Sequence, residues 1–256
     1  MGVMYGVNPT WGAQTNEGRT HIATKGIVQS GLVLNLDAGV SSSYPTTGTT
    51  WTDLSGNGNT GTLTNGPTYS SANGGSIVFD GVNDRVTFTN PLLSSTGNWT
   101  ISSWCNFSTL NANITTETAA NLYAQYIPIG GRIVFRIKNN GSIINKLELV
   151  LGSSSTYPSQ LITGTTTINT NTFYNFVASR NGSIFTIYIH GVLEASSTLT
   201  GIDIRILQST PEIGGISNGN FGFTNGKIYV TSIYNRALTA QEIQQNFNAT
   251  RSRFSI

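Results

Sequence analysis

The sequence predicts an all-β protein, a two-sheet antiparallel β-sandwich with one short C-terminal helix and an extended N-terminal arm. Three observations carry this expectation. Short runs of alternating apolar and polar residues recur between Gly-, Asn- and Ser-rich turn signals, the pattern of strands with one buried face. Only one segment, near the C-terminus, has the caps and spacing of a helix. The first 29 residues show neither period and are punctuated by Gly2, Gly6, Pro9, Gly12, Gly18 and Gly26.

A chain of 256 residues suits one large sandwich, so residues 1–29 are read as an arm and 30–256 as a single domain. The arm has no core of its own. It is read as an assembly segment held by a partner, a second copy or its own domain, with Tyr5, Pro9, Trp11 and His21 as its contact candidates.

The domain opens with Leu32, Leu34 and Leu36 on one face of a strand. Residues 41–73 read as a long polar loop pinned to the domain surface by Trp51, Leu54, Leu63, Pro67 and Tyr69. Ile77–Phe79 and Arg85–Phe88 then read as a hairpin across Asp80-Gly81-Val82-Asn83-Asp84. From Asn98 to Phe107, Trp99, Ile101, Cys105 and Phe107 project one way and Trp104 the other, which gives a core face and a mostly small, polar face. Ile133–Lys138 and Ile143–Leu151 pair across Asn139-Asn140-Gly141. Phe173–Ser179 and Ser183–His190 form the clearest hairpin, with Asn181-Gly182 signalling a type I′ turn. After a strand over Lys227–Tyr234 comes the helix. Thr239 and Glu242 form a capping box, Leu238 and Ile243 a hydrophobic staple, and Ile243 and Phe247 an apolar face four residues apart. Arg251 and Arg253 in the tail read as a solvated end.

Composition narrows the chemistry. Only 24 of the 256 residues are charged and the net charge is +2, too sparse for nucleic acid as a partner. No apolar run reaches the roughly 20 residues of a membrane span, so no membrane partner is expected. With no basic-then-apolar leader the chain is expected to be made in a cytoplasm. Cys105 is alone, which excludes an intrachain disulfide, and its strand setting reads as a buried, inert thiol.

The eleven acids are scattered, and none pair at the two-residue spacing that shares a strand face. Glycoside hydrolysis by Glu148 or Glu194 with a distant partner is the weakest reading, and no enzyme activity is expected. His21 and His190 are too few for a zinc site, and His190 reads as a turn residue. Asp53-Leu54-Ser55-Gly56-Asn57-Gly58-Asn59 places side-chain oxygens at alternate positions, as cation loops do. Asp80 and Asn83 are candidate calcium ligands if the two loops meet; the alternative is turns whose side chains bond their own backbone. No other cofactor is expected. For a sugar, Asp53, Asn57, Asn59 and Asp84 are candidate polar contacts and Trp51 the stacking residue; Tyr69, Trp104, Tyr157 and Tyr174 are further aromatics, most expected in the core.

The order of Leu32–Asp37, Trp51–Asn59, Ile77–Val86, Trp99–Trp104, Phe173–Leu193 and Ile228–Phe247 resembles the laminin-G-like, concanavalin A-like lectin-glucanase jelly-roll superfamily over residues 31–249. The stretch Tyr234-Asn235-Arg236-Ala237-Leu238-Thr239-Ala240-Gln241-Glu242-Ile243 is similar to domains of bacteriophage virion proteins, especially marine ones. The resemblance implies a virion structural protein, a capsid decoration or fibre component anchored by its arm. Its partners would be other virion proteins and copies of itself, and its location the virion. The alternative it implies is a glycan-binding receptor-recognition module of a tail fibre, calcium-assisted, whose partner is a host-surface glycan.

Overall fold

The structure, a computed structural model, describes residues 26–94, 96–110, 118–127, 131–140, 143–152, 160–200, 209–216 and 222–256 with two short strands before them. Those two, β1 (Thr15–Asn16) and β2 (Arg19–Thr20), pair with each other. Next come β3 (Leu32–Asp37), β4 (Thr50–Trp51), β5 (Gly61–Thr64), β6 (Thr68–Ser70), β7 (Ser76–Asp80) and β8 (Arg85–Thr87). They are followed by β9 (Trp99–Phe107), β10 (Thr118–Ile127), β11 (Gly131–Asn140), β12 (Ile143–Leu151), β13 (Gln160–Thr167) and β14 (Phe173–Asn181). The last elements are β15 (Ile184–Ile189), β16 (Val192–Thr198), β17 (Glu212–Ile213), β18 (Asn225–Tyr234), helix α1 (Ala240–Thr250) and a 3₁₀ turn over Arg251–Phe254.

Two antiparallel sheets form the sandwich. The first runs β16-β15-β14-β9-β18-β7-β6, with β3 also paired to β18; the second runs β13-β12-β11-β10-β17-β8-β5-β4. Their inner faces share one core that includes Leu34, Leu36, Trp51, Phe79, Trp99, Phe107, Phe135, Phe176 and Ile233. At one side the edges are joined by Glu194 of β16, which accepts hydrogen bonds from the backbone N–H and hydroxyl groups of Thr165 and Thr166 on β13. Gly164 leaves room for this, since a Cβ there would lie 2.7 Å from Glu194 Cγ.

Several local expectations hold. Trp99, Ile101, Cys105 and Phe107 line the core while Trp104 faces outward. Thr239 and Glu242 make the capping box, and Leu238 and Ile243 share one buried cluster. The helix seals part of the first sheet's outer face: Phe247 and Phe254 stack on Trp104, at 5.7 and 4.2 Å between ring centroids. The other face of β9 carries small polar groups as expected, Thr100 accepting from Leu238 N and Ser102 from Asn175 Nδ2, and the helix covers it around Trp104.

Four expectations are corrected. Ile77–Phe79 and Arg85–Phe88 are no hairpin, because β7 belongs to the first sheet and β8 to the second; residues 80–84 carry the chain across the sandwich. The 41–73 stretch is no surface loop, because it contributes β4, β5 and β6 and buries Trp51 and Leu63. Asn181 pairs with Ile184, so Gly182 and Ser183 form the turn, and only Gly182 takes positive φ (60°), the type II′ pattern rather than I′. Arg253 is no solvated end: it meets Asp37 Oδ1 at 2.6 Å and donates to the carbonyls of Asn73, Gly74 and Gly75.

Residues 26–30 pack with the domain. Gln245 Nε2 donates to Gly26 O, Val28 N to Asn246 Oδ1, Tyr234 OH to Val28 O and Arg236 Nε to Ser30 O. Tyr5, Pro9, Trp11 and His21 lie outside the described residues.

Candidate functional site

Among the loops that the sequence singles out, the segment after β4 is held by Asp53. Its Oδ1 accepts from Asn35 N and Ser55 N, and its Oδ2 from Ser55 Oγ and Asn59 N. Asn57 and Asn59 donate their amides to Leu32 O and Val33 O, pegging the loop to β3. Trp51 is fully buried and offers no face to a ligand. These residues are brought together, and their described polar contacts brace the loop itself.

The crossing after β7 is similar. Asp80 Oδ1 accepts from Val82 N and Asn83 N, and Asp84 Oδ2 from Asp80 N. Burial, with the Asp80 carboxylate nearby, pushes the Asp84 carboxyl above its ordinary range although the Asp80 N–H opposes the shift. Asn65 Nδ2 donates to Asn83 O and ties the turn between β5 and β6 to this crossing. The two loops do not meet. Along β18, Asn225 lies opposite Asp80 and Ser232 opposite Asn35, the partner of Asp53. That separation is roughly 20 Å at about 3.3 Å per residue. Among the described residues no three of His, Cys, Asp and Glu converge as a metal site.

The remaining candidates are mostly interior. Trp104 and Tyr174 are buried, Tyr69 packs partly against the core, and Tyr157 lies outside the described residues. His190 sits at a turn with φ 53°, stacked on Tyr174 at 5.5 Å, and burial lowers its pKa. Glu148 is fully buried beside Arg136, with 2.8 Å from Nε and 2.7 Å from Nη2 to its Oε2. For Glu194, burial raises the carboxyl pKa, but the four donors of Thr165 and Thr166 outweigh it and hold the group below its ordinary range.

Among the described residues, two outer-face areas lie outside the patch that the helix covers. On the second sheet, strand register sets Thr50, Thr62, Thr87, Glu212, Ala124, Val134, Val150 and Leu161 in one cross-strand row. Its Thr50 and Thr62 end is exposed, while Ala124, Val134 and Val150 are buried with Ile216. On the first sheet, beyond the helix, Val78, Lys227, Asn106 and Phe173 form a row across β7, β18, β9 and β14, all half-buried. Sequence reading passes over this second row. The one signal is Lys227, a cation opening the otherwise uncharged run to Tyr234.

A family model described as the concanavalin A-like lectin/glucanases superfamily matches residues 80–244. No curated protein matches. Among solved structures, domain 4 of AbnA, a GH43 extracellular arabinanase from Geobacillus stearothermophilus solved with arabinotriose, is 18% identical with a TM-score of 0.64, over 84% of this chain and 97% of that one. The binding domain of Paraclostridial Mosquitocidal Protein 1 is 21% identical, TM-score 0.65, over 86% of this chain and 52% of that one. The botulinum neurotoxin serotype D binding domain is 16% identical, TM-score 0.63, over 86% and 51%. The chain thus spans about half the length of the two toxin domains. At these identities the likeness is one of fold.

Proposed function

The chain belongs to the concanavalin A-like lectin/glucanases superfamily, and on that premise we propose that it is a carbohydrate-binding display domain without hydrolytic activity, carried on a bacteriophage virion and attached through residues 1–29. One observation carries the choice of binding over hydrolysis. Each acid among the described residues is committed to the fold: Asp37 to Arg253, Asp53 to its loop, and Asp80 and Asp84 to the crossing. Likewise Glu148 pairs with Arg136, Glu194 with β13, Glu212 with Arg85 and Glu242 with Arg236. Glycoside hydrolysis needs a free acid and a second carboxylate across a cleft. A neighbour solved with arabinotriose and neighbours that are toxin binding domains make a saccharide the first ligand class to try.

The virion assignment rests on the resemblance over Tyr234–Ile243. The attachment through the N-terminal segment is supported by the bonds that tie Gly26 and Val28 to α1, on the helix-covered side of the sandwich.

A glycan array probed with the full chain tests the binding reading, with release of reducing ends from the same glycans as the control. Selective binding without hydrolysis is expected; hydrolysis abolished by one carboxylate substitution would overturn it. Removing residues 1–25, while keeping Ile27 and Val28 against the helix, should leave a folded domain that no longer joins particles. A truncated chain that still assembles would refute the attachment.

A further inference from the structure

Lys227 and Asn106 stand side by side on β18 and β9, the two middle strands of the first sheet. Both are half-buried, and neither side chain makes a hydrogen bond or ion pair among the described residues. Among the strand asparagines whose side chains are described, only Asn145 shares this state. Asn35, Asn121, Asn139 and Asn175, also on strands, all bond through their side chains. A partly desolvated ammonium and amide left without partners lose hydration and gain nothing from the fold. Apolar neighbours flank them. Val78 of β7 lies on one side, and Phe173 of β14 on the other, at most about 15 Å away across three strand spacings. Phe173 is fixed in place by Tyr229 and Phe254, at 5.6 and 5.3 Å between centroids. One row further on, Asp80 is turned into its own crossing by the N–H groups of Val82 and Asn83.

We propose that the row Val78, Lys227, Asn106 and Phe173 is a binding subsite for an acidic saccharide. Lys227 meets the negative substituent, Asn106 bonds a neighbouring hydroxyl, and Phe173 packs against the apolar face of a sugar ring. The dimensions fit, because a row of this width takes two to three pyranose units at roughly 5 Å each, the interstrand spacing. This inference rests on the carbohydrate-binding reading above and names the ligand class and the place.

The test is calorimetric titration of the full chain with oligogalacturonate, a sulfated oligosaccharide and a neutral oligosaccharide of equal length, repeated with Lys227→Met and Asn106→Ala. Lys227→Met keeps the aliphatic stem and should melt with the wild type, since the ammonium has no partner to lose. The expected result is acidic-saccharide binding that weakens about tenfold in each variant and falls with salt, while neutral binding is unchanged. A preference between the uronate and the sulfate identifies which anion Lys227 meets. Acidic-saccharide binding unaffected by both substitutions, or binding of neutral sugars only, would overturn the subsite and leave the carbohydrate reading standing. No saccharide binding in the titrations, together with a blank glycan array, would overturn both.

Discussion

Glu148→Gln should unfold this protein more easily without touching a reaction. Glu148 and Arg136 have side chains 0% and 3% exposed, and both nitrogens of the contact reach the same carboxylate oxygen, Oε2. Around them on the outer face lie Ala124, Val134, Val150 and Ile216, all buried. Neutralising Glu148 takes the carboxylate away from a guanidinium in a poorly solvated place, which costs about 3–5 kcal/mol. In a domain of this size each kcal/mol lowers Tm by roughly 2–4 °C, so a fall of about 10 °C is expected. Replacing both, as Arg136→Met with Glu148→Leu, should recover most of the loss, because a well-packed apolar pair needs no charge compensation. Denaturant melts of wild type, Arg136→Met, Glu148→Leu and the double give the cycle, with Glu148→Gln melted alongside. A single Glu148→Gln variant within about 0.5 kcal/mol of wild type would refute the reasoning, since that is how exposed pairs behave. The same variant separates structure from catalysis: a hydrolase using Glu148 would lose turnover and keep its stability.

Other expectations can be measured in the same way. Thr239→Ala removes the hydroxyl that accepts from Glu242 N and should destabilise the domain by about 1 kcal/mol in urea melts, with no change in m-value. Deleting Arg251–Ile256 removes Phe254 from Trp104 and Arg253 from Asp37, so a loss of about 3–5 kcal/mol is expected from the aromatic alone. The Arg236 guanidinium holds the Glu242 carboxyl at about 2, below its ordinary 4.5. Its stabilisation is therefore complete above pH 4.5 and disappears as pH falls towards 2, and Glu242→Gln should flatten the acid limb of a Tm-against-pH curve in that window. Calcium titration with chelator controls should leave Tm unmoved, because the Asp53 and Asp80 loops lie far apart and the oxygens that would serve as ligands brace their own turns.

What was readable in the sequence is what is decided within a few residues. Alternation at Trp99–Phe107 and the caps around Thr239 are local, so the core face of β9 and the start of α1 are legible. Residues 76–88 show the limit. Their turn chemistry is right, but no local signal says that the strands on either side join different sheets. Arg253 looked like a free charge because its partner Asp37 is 216 positions earlier. Trp51 looked like a stacking residue because it sits among polar residues, and only the pairing of β4 with β5 puts it in the core. The Lys227 and Asn106 row left one mark in the sequence, the cation at 227, and the pairing itself was not legible, since these residues become neighbours only where β18 pairs with β9.

Strand β18 has a consequence for synthesis. It pairs with β9 on one side and with β7 and β3 on the other, so it is the keystone between two halves of the first sheet made much earlier. Until residue 234 has left the ribosome, β9 presents an unpaired edge and β3 lacks its one ladder partner among the described residues. Such long-range closure is slow, and open edges are where chains aggregate or capture one another. Holding those edges apart during translation is a demand the fold places on the growing chain, and lower temperature, which weakens apolar association while the edges are open, should raise the soluble yield.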